Sequence, residues 1–186
     1  IFTSNTPNNN AYLNLDGAWY AKIEGLRLMV YAGANPVGAS LIKLSNCLYT
    51  KLDEVLLDGN GANVTGISFN GELQTPVRYL SSSKLLIVGC KLTAIHITKE
   101  TTVSKFNDTI INACGSGVVI EGDRASSHSF VGLVIENNGE GVNLKSPNNH
   151  FYDLYLEANN HKDIQHSSYG NKIFGVFLAD ETTAYI

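Results

Sequence analysis

Two glutamates hold the same place in two similar hexapeptides of this chain. Glu136 lies in LVIENN (residues 133–138), and Glu157 lies in LYLEAN (residues 154–159), 21 positions later. Two carboxyl groups about 5 to 5.5 Å apart can hydrolyse a glycosidic bond, one as the acid and the other as the nucleophile. If the fold stacks the two hexapeptides, these glutamates are a candidate catalytic pair. Asp58 holds the same position in an earlier copy of the pattern and is a third candidate.

A structural role is the alternative interpretation of the acid pair. Acidic side chains are mostly exposed in proteins, so the end of a strand that meets water is an ordinary place for them. A change of one rotamer would already separate the two carboxylates well beyond contact. The residue types and their spacing are therefore compatible with glycan hydrolysis and with solvated strand ends, and the sequence leaves both open.

Several aromatic and amide side chains are candidates for binding a carbohydrate. Tyr152 and Tyr155 precede the second glutamate, and Trp19 lies beside Tyr20 near the start of the chain. Such rings combine an apolar body with a polar tip, which suits a sugar ring. Asn143, the polar position of Val-Asn-Leu, is the fourth candidate in this set with Tyr152, Tyr155 and Trp19. Packing in a core or an interface is the alternative for the aromatic members.

The histidines and cysteines give no sign of a metal site. The five histidines lack the i, i+4 helical spacing of a zinc protease. Cys47, Cys90 and Cys114 match no zinc pattern and cannot all pair with one another. We therefore expect no metal and no cofactor, and we interpret the cysteines as buried free thiols.

Composition limits the class of protein and its partners. The chain has 186 residues, of which 44% are hydrophobic, and its formal net charge is -4. It contains three arginines and no basic stripe that could neutralise a phosphate backbone, so we expect no nucleic acid partner. No apolar run approaches the ~20 residues of a membrane helix, so we expect no membrane partner either.

Two strand patterns recur along the chain with a shared period of about 23 residues. The first is an apolar-x-apolar triplet, found at Ile42/Leu44, Ile67/Phe69, Ile95/Ile97, Val118/Ile120, Val142/Leu144 and Ile164/His166. The second is Phe-x-x-apolar-x-apolar, found at Phe106/Thr109/Ile111, Phe130/Leu133/Ile135, Phe151/Leu154/Leu156 and, with Ile in first place, Ile173/Val176/Leu178.

One coil of chain per repeat explains two interleaved patterns with one period. The sequence therefore predicts an all-β, single-stranded parallel β-helix of about seven to eight coils. A sandwich or jelly roll is the alternative, because its antiparallel strands also recur at short intervals. The repeat unit contains two distinguishable strands in a fixed order, which favours the β-helix.

Stacking the coils predicts what lines the outside and the turns. The outward positions of the first pattern are mostly polar and face water or a sugar. The outward positions of the second pattern are all apolar and predict a stripe for contact with further copies of the chain, or with a covering segment of the same chain: Leu56, Ile110, Val134, Tyr155 and Phe177. Three residues beyond the last apolar position, stacked side chains predict a hydrogen-bonded ladder in the turn: Asn60, Cys114, Asn138 and Asn159.

The two Phe-led segments, FVGLVIEN (130–137) and FYDLYLEAN (151–159), with KIEGLRL (22–28), resemble the pectin-lyase-like right-handed β-helix superfamily. Within that superfamily they are most similar to the tailspike and tail-appendage proteins of bacteriophages. The resemblance covers nearly the whole chain from about Trp19. It implies a right-handed β-helix domain over residues 19–186, preceded by a loop over residues 1–18, as a piece of a longer chain.

The resemblance also implies a function. Members of the superfamily bind or cleave glycans, so the expectation is a phage tail domain, located on the virion, that binds bacterial surface polysaccharide and acts as a glycoside hydrolase or lyase. The likeness further implies a homotrimer through the apolar stripe. The chain has no Asp-Asp and no Gly-His-Gly, so no catalytic residue is transferred from the pectinases. A secreted cellular polysaccharide lyase or hydrolase and a structural stalk are the alternatives.

Overall fold

The computed structural model describes residues 11–31 and 36–179, and their regular structure consists of short β-strands. In chain order the strands are Leu13–Asp16 (β1), Lys22–Glu24 (β2), Arg27–Met29 (β3), Ala39–Ser45 (β4), Lys51–Asp53 (β5), Leu56–Ala62 (β6), Val64–Gly71 (β7), Val77–Arg78 (β8), Ser81–Cys90 (β9), Thr93–Lys99 (β10), Thr101–Thr102 (β11), Lys105–Asn112 (β12), Ser116–Glu121 (β13), Ser129–Glu136 (β14), Glu140–Leu144 (β15), His150–Glu157 (β16), Ile164–His166 (β17) and Lys172–Leu178 (β18). Within these two ranges no helix is long and apolar enough to cross a membrane.

The strands confirm the predicted parallel β-helix. The first sheet joins β1, β4, β7, β10, β13, β15 and β17, and the second joins β2 and β3, β5 and β6, β9, β12, β14, β16 and β18. The pairings between these strands are parallel, as in Ile95 with Val118. The sandwich alternative is wrong, because it requires antiparallel neighbours. Seven strands in the first sheet make about six turns, and β8 and β11 form a small third sheet.

The apolar triplets of the first sheet are in register, so their inward side chains stack in columns. Ile67, Ile95, Val118 and Val142 form one such column, and each is buried. A strand whose apolar residues alternate with polar ones buries one face and exposes the other. The local pattern of each triplet therefore fixes which of its side chains enter the core.

A left-handed residue bends every strand of the second sheet at the same place. On the first two coils it separates two short strands, β2 from β3 at Gly25 and β5 from β6 at Glu54, where φ is 64° and 52°. On later coils it lies inside the strand, as at Gly132 and Asp153. This bend explains the spacing Phe-x-x-apolar. In a straight strand, side chains three positions apart point to opposite faces, but the left-handed residue between them turns the second side chain back toward the core.

Phenylalanines fill the core beneath the second sheet. The rings of Phe106, Phe130 and Phe151 stack with centroids 4.5 and 4.7 Å apart, and all three are buried. Opposite them the backbone of adjacent coils approaches closely. A Cβ added at Gly141 would lie 2.2 Å from the carbonyl oxygen of Asp163, so this position requires glycine.

The predicted ladder in the turn is confirmed for its later members. Asn159 Oδ1 accepts hydrogen bonds from the backbone N–H and from Nδ2 of Asn138, at 3.1 Å each. Asn138 Oδ1 in turn accepts from the N–H of Cys114 at 2.7 Å. Asn60 is exposed and instead donates from Nδ2 to the carbonyl of Val30, so the prediction is wrong for that residue. A register irregularity between Asp58 and Ala62 displaces Asn60 from the column, and Ala62 pairs with Cys90 instead.

A second buried ladder lies at the corner that enters the second sheet. His128 Nδ1 accepts a hydrogen bond from the N–H of Ser104 at 3.3 Å, and the N–H of His128 donates to Asn149 Oδ1 at 3.1 Å. Asn171 Oδ1 accepts from the N–H of Asn149 at 2.8 Å. Each side chain satisfies a backbone donor of the preceding coil, so burial of this corner leaves those N–H groups paired.

The cysteines are free and buried, as predicted: Cys47, Cys90 and Cys114. The stacking begins earlier than residue 19, because β1 lies inside the segment 1–18 that was expected to be a loop and pairs with β4 from Leu13 to Asp16. Residues 1–10 of that segment lie outside the described residues. The part of the β-helix that the structure describes therefore starts with the first sheet.

Candidate functional site

The two candidate glutamates are direct neighbours on the outer surface. Glu136 and Glu157 are register partners at the ends of β14 and β16, and adjacent strands lie about 4.8 Å apart. Each carboxylate accepts a hydrogen bond: Glu136 Oε2 from Asn112 Nδ2 at 3.3 Å, and Glu157 Oε2 from the hydroxyl of Tyr155 at 2.7 Å. The fold thus brings the acid pair together and gives each carboxylate a donor that orients it.

Two pairs of stacked aromatic rings lie on the strand that carries Glu157 and on the next strand. Tyr155 stacks on Phe177 and Tyr152 stacks on Phe174, with centroids 5.2 Å apart in both pairs. These four residues are named the C-terminal aromatic patch. They flank the bend of β16 and β18, where a shallow cavity of about 380 Å³ is lined by Asp153, Leu154, Tyr155, Gly175, Val176 and Phe177.

The orientation of the rings determines which atoms of the C-terminal aromatic patch a ligand would contact. The partners come from adjacent coils and lie within 13° of parallel, so the ring faces point along the axis of the β-helix. A molecule that approaches from the side meets ring edges, the Tyr152 hydroxyl and the neighbouring carboxylates. The patch therefore combines apolar area with polar groups that bond sugar hydroxyls.

Asp58 lies in the same column as the glutamates but three strands away. Its register partner is Val88, which precedes Asn112 and Glu136 in the column, so the backbone separation is about 14 Å. Asp58 Oδ1 accepts a hydrogen bond from the N–H of Asn60 at 2.8 Å, which closes a turn. The structure does not bring Asp58 to the acid pair.

The two other predicted sugar-binding residues lie elsewhere. Asn143 is on the outer face of the first sheet, where its Nδ2 donates to Gln165 Oε1 at 3.3 Å and its buried Oδ1 has no hydrogen-bond partner among the described residues. Trp19 is 62% exposed and pairs with Leu48 on the first coils. Of the four predicted residues, the fold brings together Tyr152 and Tyr155.

The apolar stripe is continuous on the outer face of the second sheet. Its predicted members alternate with buried residues as expected, and the structure adds Leu86 between Leu56 and Ile110. The coil of Leu86 has Ser82 in place of phenylalanine, so the sequence pattern passed over it, although Leu85 and Ile87 hold the usual inward positions.

A charged corner lies beyond the first sheet and was not predicted. Glu121 bonds His96 Nε2 at 2.9 Å and Lys145 Nζ at 3.2 Å, and these contacts, led by His96, lower the pKa of the Glu121 carboxyl. Two adjoining cavities of about 690 and 500 Å³ lie beside it. In their lining, Glu72 pairs with Lys99 and Arg124 pairs with Glu100, each at 3.3 Å. Alternating charges at equivalent positions of successive coils are the sequence signal that could have predicted this corner.

In the described ranges, no three His, Cys, Asp or Glu side chains come together in a way that could hold a metal ion. No protein-family model matches the sequence, and no curated protein does.

Comparison with solved structures finds a related fold. The chain superposes on a mutant tailspike protein of E. coli bacteriophage HK620, solved in complex with a hexasaccharide, with a TM-score of 0.61 and 10% sequence identity. The match covers 94% of this chain and 37% of the tailspike chain, so this protein spans just over a third of its length. The fold is therefore a parallel β-helix of the tailspike type.

Proposed function

We propose that this protein belongs to a phage tail and binds bacterial surface polysaccharide on the outer face of its second sheet. One observation carries the proposal: stacked aromatic pairs and two neighbouring carboxylates share one outward surface of a tailspike-type β-helix. Carboxylates accept hydrogen bonds from sugar hydroxyls, and the exposed aromatic side chains supply apolar contact area beside a tyrosine hydroxyl. The tailspike neighbour was solved with an oligosaccharide, which supports the same class of ligand.

The acid pair supports hydrolysis of the bound glycan. One carboxyl, of Glu136 or Glu157, would donate its proton to the glycosidic oxygen while the other attacks the anomeric carbon. Water would then cleave the glycosyl-enzyme bond and return the proton to the first carboxyl. The hydrogen bonds from Asn112 and Tyr155 hold the two groups on the outer surface, facing a chain that lies along the axis.

The aliphatic part of the stripe supports assembly into a homotrimer on the virion. Leu56, Leu86, Ile110 and Val134 form a row along the outer face, and the Ile110 side chain is 44% exposed. A contiguous apolar row of this kind commonly marks a protein contact. The aromatic end of the stripe, at Tyr155 and Phe177, would then lie at the margin of the interface and remain open to a polysaccharide.

Binding is tested with purified O-antigen and capsular polysaccharides immobilised on a biosensor. The wild-type chain is expected to bind at least one of them, and the Tyr152→Ala/Phe174→Ala variant is expected to bind it at least tenfold more weakly. Tyr31→Ala is the matched control, because Tyr31 is an exposed tyrosine outside the patch. Failure of the wild-type chain to bind any polysaccharide would leave the structural stalk as the function.

Hydrolysis is tested separately, by release of reducing ends from the polysaccharide that binds. Glu136→Gln and Glu157→Gln are each expected to abolish release while binding persists. Glu72→Gln, which alters an exposed ion pair with Lys99, serves as the control. Release that is unchanged in both glutamine variants would remove the acid pair from the mechanism, and no release by the wild-type chain would restrict the function to binding.

A further inference from the structure

Three tyrosines form an exposed column at the corner that precedes the second sheet. Tyr20, Tyr49 and Tyr79 lie on consecutive coils, and their rings stack with centroids 4.9 Å apart and planes 7° and 8° from parallel. Their side chains are 74%, 48% and 46% exposed. We name them the tyrosine column. They lie on the first coils, whereas the C-terminal aromatic patch lies on the last.

The backbone of the tyrosine column is in an unfavourable conformation for so large a residue. Tyr20, Tyr49 and Tyr79 have φ of 57°, 54° and 56°. On every later described coil, the residue at this corner also has a left-handed backbone conformation: Val103, Ser127, Asn148 and Gly170. Glycine and asparagine adopt this conformation most readily. The corner therefore demands a left-handed backbone, but nothing in its geometry demands a tyrosine.

Mutual stacking compensates for part of the backbone strain. An aromatic pair contributes about 0.5 to 1.5 kcal/mol, and a left-handed residue other than glycine costs about 1 to 2 kcal/mol. Stacking at best balances the strain, and it does not explain why the ring edges face solvent. The tyrosines thus provide an exposed aromatic surface at no net gain in stability, which points to a contact with another molecule.

Polar side chains border the column on its own coils. Asp53 Oδ2 accepts a hydrogen bond from Lys51 Nζ at 3.0 Å, and Asp53 Oδ1 accepts one from the Ser83 hydroxyl. These bonds, with that from Ser83 first, lower the pKa of the Asp53 carboxyl. On the preceding coil Lys22 pairs with Glu24 at 2.6 Å. An ordered row of donors and acceptors therefore runs parallel to the aromatic row.

We propose that the tyrosine column, with Lys51 and Asp53 beside it, is a second surface for polysaccharide. The inference rests on the proposed function and extends it to the first coils. The core of a protein interface is depleted of charged residues, whereas Tyr20 and Tyr49 are each followed within four residues by a lysine and an acid that pair with each other. The exposed rings supply apolar contact area, and the charged side chains beside them supply hydrogen bonds, a combination that suits the C–H groups and hydroxyls of a glycan.

The two surfaces can hold one polysaccharide chain. The coil of Tyr79 and the coil of Tyr152 are separated by three strand spacings, about 14 Å along the axis. A glycan of several residues that follows the axis would contact both. Two linked contacts increase the affinity for a long chain far more than for a short one, because the second contact is intramolecular.

Asparagine substitutions test the inference without disturbing the corner. In Tyr49→Asn/Tyr79→Asn the new residues suit a left-handed backbone, as Asn148 does, so the fold is expected to remain as stable as the wild type. Val103→Asn is the matched control, because it makes the same change in the same column without removing a tyrosine. The probe is the O-antigen or capsular polysaccharide that the wild type binds, used as a long chain and as its single repeating unit.

The expected result is a loss of at least tenfold in affinity for the long chain in Tyr49→Asn/Tyr79→Asn, with Val103→Asn unchanged. Affinity for the single repeating unit is expected to depend on Tyr152 and Phe174 and to change little. If the double variant binds the long chain as the wild type does, while Tyr152→Ala/Phe174→Ala binds it weakly, the tyrosine column is not a binding surface and the proposed function stands. If the wild type binds no polysaccharide, both proposals fail together.

Discussion

Burial of His128 predicts that the β-helix loses stability in mild acid. The side chain is 1% exposed, Nδ1 accepts a hydrogen bond from the backbone, and Nε2 has no hydrogen-bond partner among the residues that the structure describes. Burial lowers the pKa of His128 to about 3 from its ordinary value near 6.5. The folded chain therefore keeps His128 neutral at a pH where the unfolded chain protonates it.

The magnitude follows from the two pKa values of His128. Between pH 6.5 and 3 the unfolded state binds a proton at His128 that the folded state does not bind. The contribution of neutral His128 to the free energy of unfolding is therefore complete above pH 6.5 and is lost as the pH falls toward 3. Each unit by which the pH falls within that window lowers the free energy of unfolding by up to about 1.4 kcal/mol. Relative to pH 8, His128 alone is expected to cost about 2 kcal/mol at pH 5 and about 3 kcal/mol at pH 4.

Urea unfolding of the wild type and of His128→Asn at pH 8, 6, 5 and 4 measures this cost. Asparagine fits the ladder, because Asn149 and Asn171 accept the same kind of backbone hydrogen bond on the next coils. Carboxylates that titrate in acid are common to both chains and cancel in the difference. The stability of the variant relative to the wild type is expected to rise by about 2 kcal/mol from pH 8 to pH 5. A difference that does not change with pH would refute the assignment of a buried neutral imidazole.

Three further changes have expected outcomes. Asn138→Ala leaves the Cys114 N–H without its acceptor and is expected to cost about 2 to 3 kcal/mol in urea unfolding, whereas Asn160→Ala, at an exposed position, is expected to cost little. Gly141→Ala forces a Cβ against the backbone and is expected to lower the free energy of unfolding by about 3 kcal/mol or more. The control Gly61→Ala, where the space is open, is expected to lower it by about 1 kcal/mol. Equal losses in the two variants would contradict the close approach of the backbone at Gly141. Ile110→Asp is expected to convert a trimer into monomers in sedimentation velocity, and a wild-type monomer at high concentration would refute assembly through the stripe.

The stacking of coils could be predicted because each repeat carries its own signal. Inward residues such as Ile95 and Val118 alternate with outward ones, and burial acts on that alternation within a few residues. The neighbouring position of Glu136 and Glu157 follows for the same reason, since two adjacent repeats with the same pattern must align in register. The ladder of Asn138 and Asn159 is a further consequence of the same alignment.

The tertiary structure decided which coils are neighbours and where the backbone bends. The coil with Ser82 lacks the phenylalanine that marks the others, so the sequence pattern placed Leu56 next to Ile110, with Leu86 missing between them. That coil and the coil of Asn112 separate Asp58 from the acid pair.

The tyrosine column was also beyond the reach of local patterns. Tyr-x-Lys-x-acid at Tyr20 and at Tyr49, 29 residues apart, was a visible repeat, but Tyr79 is followed by serines and does not share it. The sequence by itself determined the inward faces, the period and the pairing of the two glutamates, because burial selects apolar residues one strand at a time. The structure alone assembled the three rings, because their intervals of 29 and 30 residues differ from the period of about 23 residues, and stacking joins coils whatever the length of the loops between them.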